Sequence, residues 1–266
     1  DKIFLRSVDL VITERCSLKC QDCSNLMQYY ETPINYDSAS LIMTVDSFLN
    51  EVDEVNEFRV IGGEPFMNKR IDLVLTHLSA HEKIKKVVIY TNGTIVPKGD
   101  VLKALMNAKI VLIVTDYEAL SRNIDQLKQI LDENKITYYA AKAQNWTDCA
   151  AIGPQHRSVD EQKDVYKRCC AKNLFTILDG KFYRCPFSAH VDRLKAVPKD
   201  ESDYVDIAGF ASNQENAKTL KSIIRDFVFD KDQLGACDYC VGRFLEDPKI
   251  TPGIQTSAPL SYQRRR

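Results

Sequence analysis

The chain has 266 residues, 44% of them hydrophobic, so it can bury the core of one large domain or of a domain with a small appendage. Lysine and arginine total 36 against 37 aspartates and glutamates, and a net charge of −1 gives no electrostatic attraction to nucleic acid. No apolar run reaches about 18 residues and no signal peptide is visible, so we expect neither a membrane partner nor export. The one basic cluster, Arg264–Arg266, is expected to be a solvated tail.

Alternating strand and helix patterns fill the first half of the chain. Apolar, β-branched runs predict five strands, at 8–13, 57–61, 86–91, 109–114 and 136–141. Between them, apolar residues recur at helical spacing and predict four helical faces: Phe48/Val52/Val55, Ile71/Val74/Leu75/Leu78, Val101/Leu102/Leu105/Met106 and Ile124/Leu127/Leu131. The alternation predicts an α/β fold with parallel strands that are buried on both faces.

The pattern changes in the second half. The polar segment 145–167 predicts a linker on the surface. Two strand-like runs flank Asp179-Gly180, a dipeptide that accepts positive φ and therefore predicts a hairpin. A helix is predicted at about 216–229, and the chain from Pro248 onward is expected to be irregular.

The cysteines are clustered, which favours metal ligands in a reducing, cytoplasmic compartment over a disulfide scaffold. The nine lie at Cys16, Cys20, Cys23, Cys149, Cys169, Cys170, Cys185, Cys237 and Cys240. The first three, spaced Cys-x3-Cys-x2-Cys after the first strand, can hold three corners of a [4Fe-4S] cluster and leave one iron open. Zinc is the alternative, although a tetrahedral zinc site needs a fourth ligand that is not nearby in the sequence.

Three motifs at successive strand ends resemble those of radical S-adenosylmethionine (SAM) enzymes. They are the cysteine triplet, Gly62-Gly63-Glu64-Pro65 and Thr91-Asn92-Gly93. The resemblance implies a partial (β/α)6 TIM-like barrel in which the open iron binds SAM. It further implies a set of cofactor contacts at Gly62, Gly63, Glu64, Pro65, Thr91, Asn92, Thr115 and Asp116.

The later cysteines resemble the twitch, or short SPASM-like, domain of the same family. The resemblance implies a second, auxiliary [4Fe-4S] cluster held by Cys185, Cys237, Cys240 and one of Cys169 or Cys170. A zinc site made by the same residues is the alternative. The implied domains are a barrel core at 1–145, a linker at 146–168, a twitch domain of β-hairpin and helix at 169–247, and a tail at 248–266.

Length and cysteine layout are most similar to short radical SAM dehydrogenases that act on aminocyclitols. The implied function is an oxidoreductase that cleaves SAM to a 5′-deoxyadenosyl radical and abstracts hydrogen from a small polyhydroxyl substrate. The auxiliary cluster would accept an electron, and an external flavodoxin or ferredoxin would supply the reductant.

Three other functions stay open at this point: an epimerase with Cys149 as hydrogen donor, a peptide-modifying maturase, and a non-enzymatic iron–sulfur or zinc module. Further candidates for substrate contact are His156, Arg157, Arg184 and His190.

Overall fold

A computed structural model describes residues 2–210 and 218–262, and its contacts divide the chain into two compact units. Unit 1 comprises residues 1–18 and 32–144, and unit 2 comprises residues 19–31 and 145–266. Among the described residues, no helix is both long and apolar enough to span a membrane.

Unit 1 is built on five parallel strands connected by helices. The strands are β1 (Phe4–Thr13), β2 (Glu54–Gly62), β3 (Ile84–Thr91), β4 (Ile110–Asp116) and β5 (Tyr138–Lys142). The helices are α1 (Ser38–Glu51), α2 (Ile71–Ala80), α3 (Gly99–Leu105) and α4 (Ile124–Glu133). The strands lie in the order β5-β4-β3-β2-β1, with Val60 paired to Ile89 and Ile89 to Leu112. The predicted α/β class with a parallel sheet is confirmed, and unit 1 contributes five parallel strands to it.

Burial in the sheet differs in part from the prediction. Strands β1, β2 and β3 are buried at most of their positions, whereas β4 alternates between buried and half-buried positions. Its residues Ile110, Leu112 and Val114 are nearly inaccessible, and the predicted face of α2 is buried in full. Two predicted helical faces were wrong in extent. Helix α1 ends at Glu51, and Val55 lies in β2. Helix α3 ends at Leu105, and Met106 after it is exposed.

Unit 2 contains the second half of the chain and the segment 19–31. Its strands are β6 (Trp146–Thr147), β7 (Phe175–Leu178), β8 (Lys181–Tyr183), β9 (Tyr204–Asp206) and β10 (Lys249–Ile250). Its helices are α5 (Val159–Arg168), α6 (Pro186–Arg193) and α7 (Leu220–Phe229). A hydrophobic core joins Leu26 to residues far along the chain: Ala150, Ile152, Tyr166, Phe187, Val191, Leu234 and Ala236.

The hairpin predicted around Asp179-Gly180 is present. Strands β7 and β8 are antiparallel, with Ile177 opposite Phe182, and β9 adds a third antiparallel strand. Asp179 has φ 49° and Gly180 has φ 78°, so both turn residues are left-handed. That geometry matches the twist of the flanking strands, which is why the dipeptide stabilises a two-residue turn.

Three stretches of unit 2 differ from expectation. The expected linker contains β6 and α5, and α5 begins with a capping box in which Ser158 and Glu161 bond reciprocally. The tail expected to be irregular forms β10, which pairs with β6. Helix α7 begins at Leu220; residues 216 and 217 of its predicted range, like Arg264–Arg266, lie outside the described residues.

Candidate functional site

The loops after β1 and β2 approach each other so closely that only glycine fits between them. The Gly63 amide donates to the Thr13 carbonyl at 3.1 Å, and the Glu64 amide donates to the Arg15 carbonyl at 2.8 Å. A Cβ on Gly63 would lie 2.3 Å from the Arg15 oxygen and 2.6 Å from Cys16 Cβ, and one on Gly62 would lie 2.3 Å from the Thr13 oxygen. The two glycines therefore fix the backbone that carries Cys16.

Glu64 joins the loop after β2 to the loop after β3. Its carboxylate is fully buried and accepts bonds from Thr91 Oγ1 at 2.9 Å, from the Asn92 amide at 2.8 Å and from the Phe66 amide at 3.2 Å. Burial raises the pKa of Glu64 to about 7, while these donors favour the charged form. Because the carboxylate is buried and bonded to other protein groups, its role within unit 1 is to hold Thr91 and Asn92 in place.

Asn92 reaches the cysteine of the first loop. Its Nδ2 lies 3.7 Å from Cys16 Sγ and 3.1 Å from Ser17 Oγ, and its Oδ1 accepts from the Thr94 hydroxyl at 2.6 Å. Ser121 Oγ donates to the Asn92 carbonyl at 2.6 Å. Sequence analysis missed Ser17, Thr94 and Ser121; the first two adjoin recognised motifs, and no local pattern marks the third.

Thr115 and Asp116 lie half-buried at the end of β4. Asp116 Oδ1 accepts from the Glu118 amide at 2.8 Å, which forms the turn that follows the strand. The carboxyl ends of β2, β3 and β4 thus each present residues of the predicted cofactor set in neighbouring loops. Ligands of α/β folds bind at this edge of a parallel sheet.

Cys20 and Cys23 belong to unit 2, in the segment 19–31. Cys20 Sγ accepts a bond from Gln255 Nε2 at 3.3 Å, and burial raises the pKa of its thiol. Burial also raises the pKa of Cys23 to about 11, and the backbone amides of Met27 and Asn25 oppose that shift by donating to its sulfur. At neutral pH a thiol with a raised pKa keeps its proton, so either cysteine would have to lose that proton in order to bind a metal.

Four distant cysteines line one pocket in unit 2. Cys169 caps the end of α5, Cys185 caps the start of α6, and Cys237 and Cys240 come from the helical turn Gly235–Tyr239 and the residue after it. The exposed Cys170 does not line this pocket, which favours Cys169 as the fourth member of the set.

The sulfurs in this pocket are held by backbone donors. Amides of Ala171, Ser188 and Gly242 lie 3.4, 3.4 and 3.3 Å from the sulfurs of Cys169, Cys185 and Cys240 respectively. Burial raises the pKa of Cys237 to about 12 and also raises those of Cys185 and Cys240.

Tyr166 also lines this pocket. The residue is 5% exposed, and its hydroxyl has no hydrogen-bond partner among the described residues. Leaving a buried hydroxyl unpaired costs about 1–3 kcal/mol. Tyr166 therefore carries a buried donor whose desolvation no described residue offsets.

Arg157 and Arg184, two of the other candidates for substrate contact, have structural partners in unit 2. Arg157 Nη1 donates to the carbonyls of Cys237 and Cys240 at 2.6 and 2.7 Å, which fixes the loop that carries both cysteines. Arg184 is buried and donates to the carbonyls of Phe227 and Val228, so substrate binding is not its role.

His190 and Cys149 are both buried in unit 2. His190 Nδ1 bonds the Tyr30 hydroxyl at 2.8 Å, and burial lowers the pKa of His190 to about 3. Cys149 is 7% exposed, and burial raises the pKa of its thiol. His190 is therefore a neutral core residue rather than a substrate contact, and Cys149 is a buried thiol that keeps its proton at neutral pH.

Comparison with known proteins assigns the family. A model of the radical SAM superfamily matches residues 10–145. Curated relatives include the GTP 3′,8-cyclase of Helicobacter pylori, 29% identical over 125 residues, which are 44% of this chain and 37% of that protein. The enzyme of the same name from Clostridium acetobutylicum is 28% identical over 135 residues, 48% of this chain and 42% of that protein. The chain thus spans about two fifths of the length of these relatives.

The fold of the chain also has a counterpart among solved structures. The crystal structure of BtrN in complex with AdoMet and 2-DOIA has a TM-score of 0.54 at 14% identity and covers 91% of this chain and 95% of that one. At this identity the likeness shows a shared fold. The family model spans more than half of the chain and includes all three motifs found at the strand ends. The chain therefore belongs to the radical SAM superfamily.

Proposed function

We propose that this protein is a radical SAM oxidoreductase that acts on a small polyhydroxyl substrate with the help of an auxiliary [4Fe-4S] cluster. The observation that carries the proposal is the pocket lined by Cys169, Cys185, Cys237 and Cys240. The family implies a first [4Fe-4S] cluster and SAM, which together supply a hydrogen-abstracting radical when bound. A second cluster would accept the electron that the substrate loses when it is oxidised.

The residues for the first cluster fit that group in their chemistry. We assign Cys16, Cys20 and Cys23 as its ligands. Each sulfur has an N–H donor nearby, from Asn92, from Gln255 and from the backbone after Cys23 respectively. Such donors stabilise thiolates and tune clusters.

The proposed SAM contacts are the loops that end three strands of unit 1. Gly62 to Pro65, Thr91, Asn92, Thr115 and Asp116 form this set. Within it, Glu64 acts by holding Thr91 and Asn92, since its carboxylate is fully buried.

A cluster suits the second pocket better than zinc does. Tetrahedral zinc with Zn–S bonds of about 2.3 Å needs sulfurs about 3.8 Å apart. Over residues 2–210 and 218–262, no three His, Cys, Asp or Glu side chains are grouped closely enough to hold one metal ion. The four cysteines instead line one pocket, and Tyr166, whose buried hydroxyl lacks a partner among the described residues, lines it too.

The test is anaerobic reconstitution of the wild type and of two variants at adjacent cysteines. Wild type is expected to bind about eight irons per chain, as two four-iron clusters require. Cys169→Ala should bind about four irons, whereas the matched control Cys170→Ala should keep about eight. All three should form 5′-deoxyadenosine from SAM. Four irons in the wild type, or zinc alone without SAM cleavage, would contradict the proposal.

A second candidate is a nucleotide cyclase, which the similarity to GTP 3′,8-cyclases favours. One experiment distinguishes the cyclase from the oxidoreductase. The reconstituted protein is incubated with SAM and reductant, either with GTP or with a panel of polyols and aminocyclitols. GTP consumption would select the cyclase, and substrate-dependent formation of a ketone would select the oxidoreductase.

A further inference from the structure

The chain from 251 to 262, here called the C-terminal strap, runs along the loop that carries Cys20 and Cys23. Both segments belong to unit 2. Three backbone bonds of 2.7 Å join them: Gln21 N to Ile254 O, Thr256 N to Lys19 O, and Leu260 N to Gln28 O. Tyr262 adds an edge-on ring contact to Tyr29, with 6.1 Å between centroids. The strap therefore holds the cysteine loop at both of its ends.

Gln255 is the strap residue that reaches a cysteine sulfur. Its Oε1 accepts from the Lys19 amide at 2.7 Å, while its Nε2 donates to the Gly253 carbonyl at 2.9 Å and to Cys20 Sγ at 3.3 Å. These partners fix which way the amide points, because the Lys19 amide can only donate and the Gly253 carbonyl can only accept. The NH2 group therefore faces the sulfur.

We propose that Gln255 is a positioning residue for the first cluster: it orients Cys20 and raises the reduction potential of the cluster that Cys20 holds. The inference rests on the proposed role of Cys20 as a ligand. A hydrogen bond to a ligand sulfur stabilises the reduced cluster, which carries more negative charge, over the oxidised one. When bound, the cluster would supply the electron for SAM cleavage, so Gln255 would also influence how easily the cluster takes up that electron.

Two variants separate the hydrogen bond to sulfur from simple support of the loop. Gln255→Leu removes both polar ends of the side chain. Gln255→Glu keeps an oxygen for the Lys19 amide but cannot donate to the sulfur when ionised. The matched control is Gln155→Leu, because Gln155 is an exposed glutamine of the same unit whose Nε2 bonds the Gly153 carbonyl at 2.8 Å.

The measurement is an EPR-monitored redox titration of the reconstituted full chain, following the signal that changes when SAM is added. At a fixed solution potential, both Gln255 variants are expected to lower the ratio of reduced to oxidised cluster about tenfold, or about 59 mV for a one-electron couple. Gln155→Leu should titrate like the wild type. If Gln255→Leu does not assemble the cluster, the reduction potential is measured in the more conservative Gln255→Glu variant.

A wild-type potential in Gln255→Glu would overturn the inference and leave the proposed function standing. Failure of the proposed function has a different signature, namely a wild-type chain without a SAM-responsive cluster, or a Cys20→Ala variant that retains it.

Discussion

Replacing Gly63 by alanine should disturb the backbone that carries Cys16. The added Cβ would lie 2.3 Å from the Arg15 oxygen, where an ordinary contact is more than about 3.4 Å, so the loops must separate by about 1 Å. Such a movement breaks the Gly63–Thr13 and Glu64–Arg15 bonds of 3.1 and 2.8 Å. Each bond is worth about 1 kcal/mol and crowding adds about 1–3 kcal/mol, so we expect a loss of about 3–5 kcal/mol.

The assay for this change is urea unfolding of the metal-free chain under reducing conditions, followed by iron content after reconstitution. Gly63→Ala should unfold at lower urea and lose the irons of the first cluster. Gly153→Ala is the control, because nothing lies within 4 Å of its added Cβ, and it should stay within about 0.5 kcal/mol of wild type. If Gly63→Ala unfolds at the same urea concentration as the wild type and binds the same amount of iron, the close approach of the two loops does not constrain Cys16.

Three further predictions follow from buried groups and caps. Burial raises the pKa of Asp9 to about 7 against the opposing charge of Arg59, so its contribution to stability is present below about pH 4 and is lost as pH rises to 7, by at most about 4 kcal/mol. The free energy of unfolding, measured at pH 5 and pH 7.5, should therefore be higher for Asp9→Asn relative to wild type at the higher pH. The same difference at both pH values would refute this. Tyr166→Phe should stabilise the metal-free chain by about 1 kcal/mol by removing an unpaired hydroxyl, yet speed iron loss to a chelator after reconstitution; unchanged loss would mean that the hydroxyl does not bond the bound group. Ser158→Ala should cost about 1 kcal/mol in urea unfolding by removing the capping box of α5, whereas Ser202→Ala, at an exposed side chain, should cost little.

The parallel strands of unit 1 can be predicted from the sequence because their signal is local. Runs such as Val8–Thr13 and Lys86–Thr91 are long, β-branched and bounded by polar residues, and the structure places strands at both. Helix α5 was missed for a local reason too. Its sequence is so polar that only Val165 and Tyr166 are buried, and the Ser158-to-Glu161 capping signal was overlooked.

The contacts around the cysteines could be predicted only in part. The motif residues can be read from spacing, but the partners of their side chains depend on the tertiary fold. Glu64 resembles a cofactor contact in the motif, yet its carboxylate is fully buried against Thr91 and Asn92. Gln255 has no local signal at all, since it approaches Cys20 across 235 positions of sequence.

That separation has a consequence for the order of events during synthesis. The cysteine loop at 19–31 leaves the ribosome early, whereas its strap partners Ile254, Gln255 and Thr256 emerge more than two hundred residues later. At about 5–20 residues per second, the early cysteines wait on the order of ten seconds or more for the segment that holds them. The contacts of the strap with the cysteine loop can therefore form only after residue 256 has left the ribosome, and a nascent chain stalled before residue 254 should leave this loop open to thiol-modifying reagents.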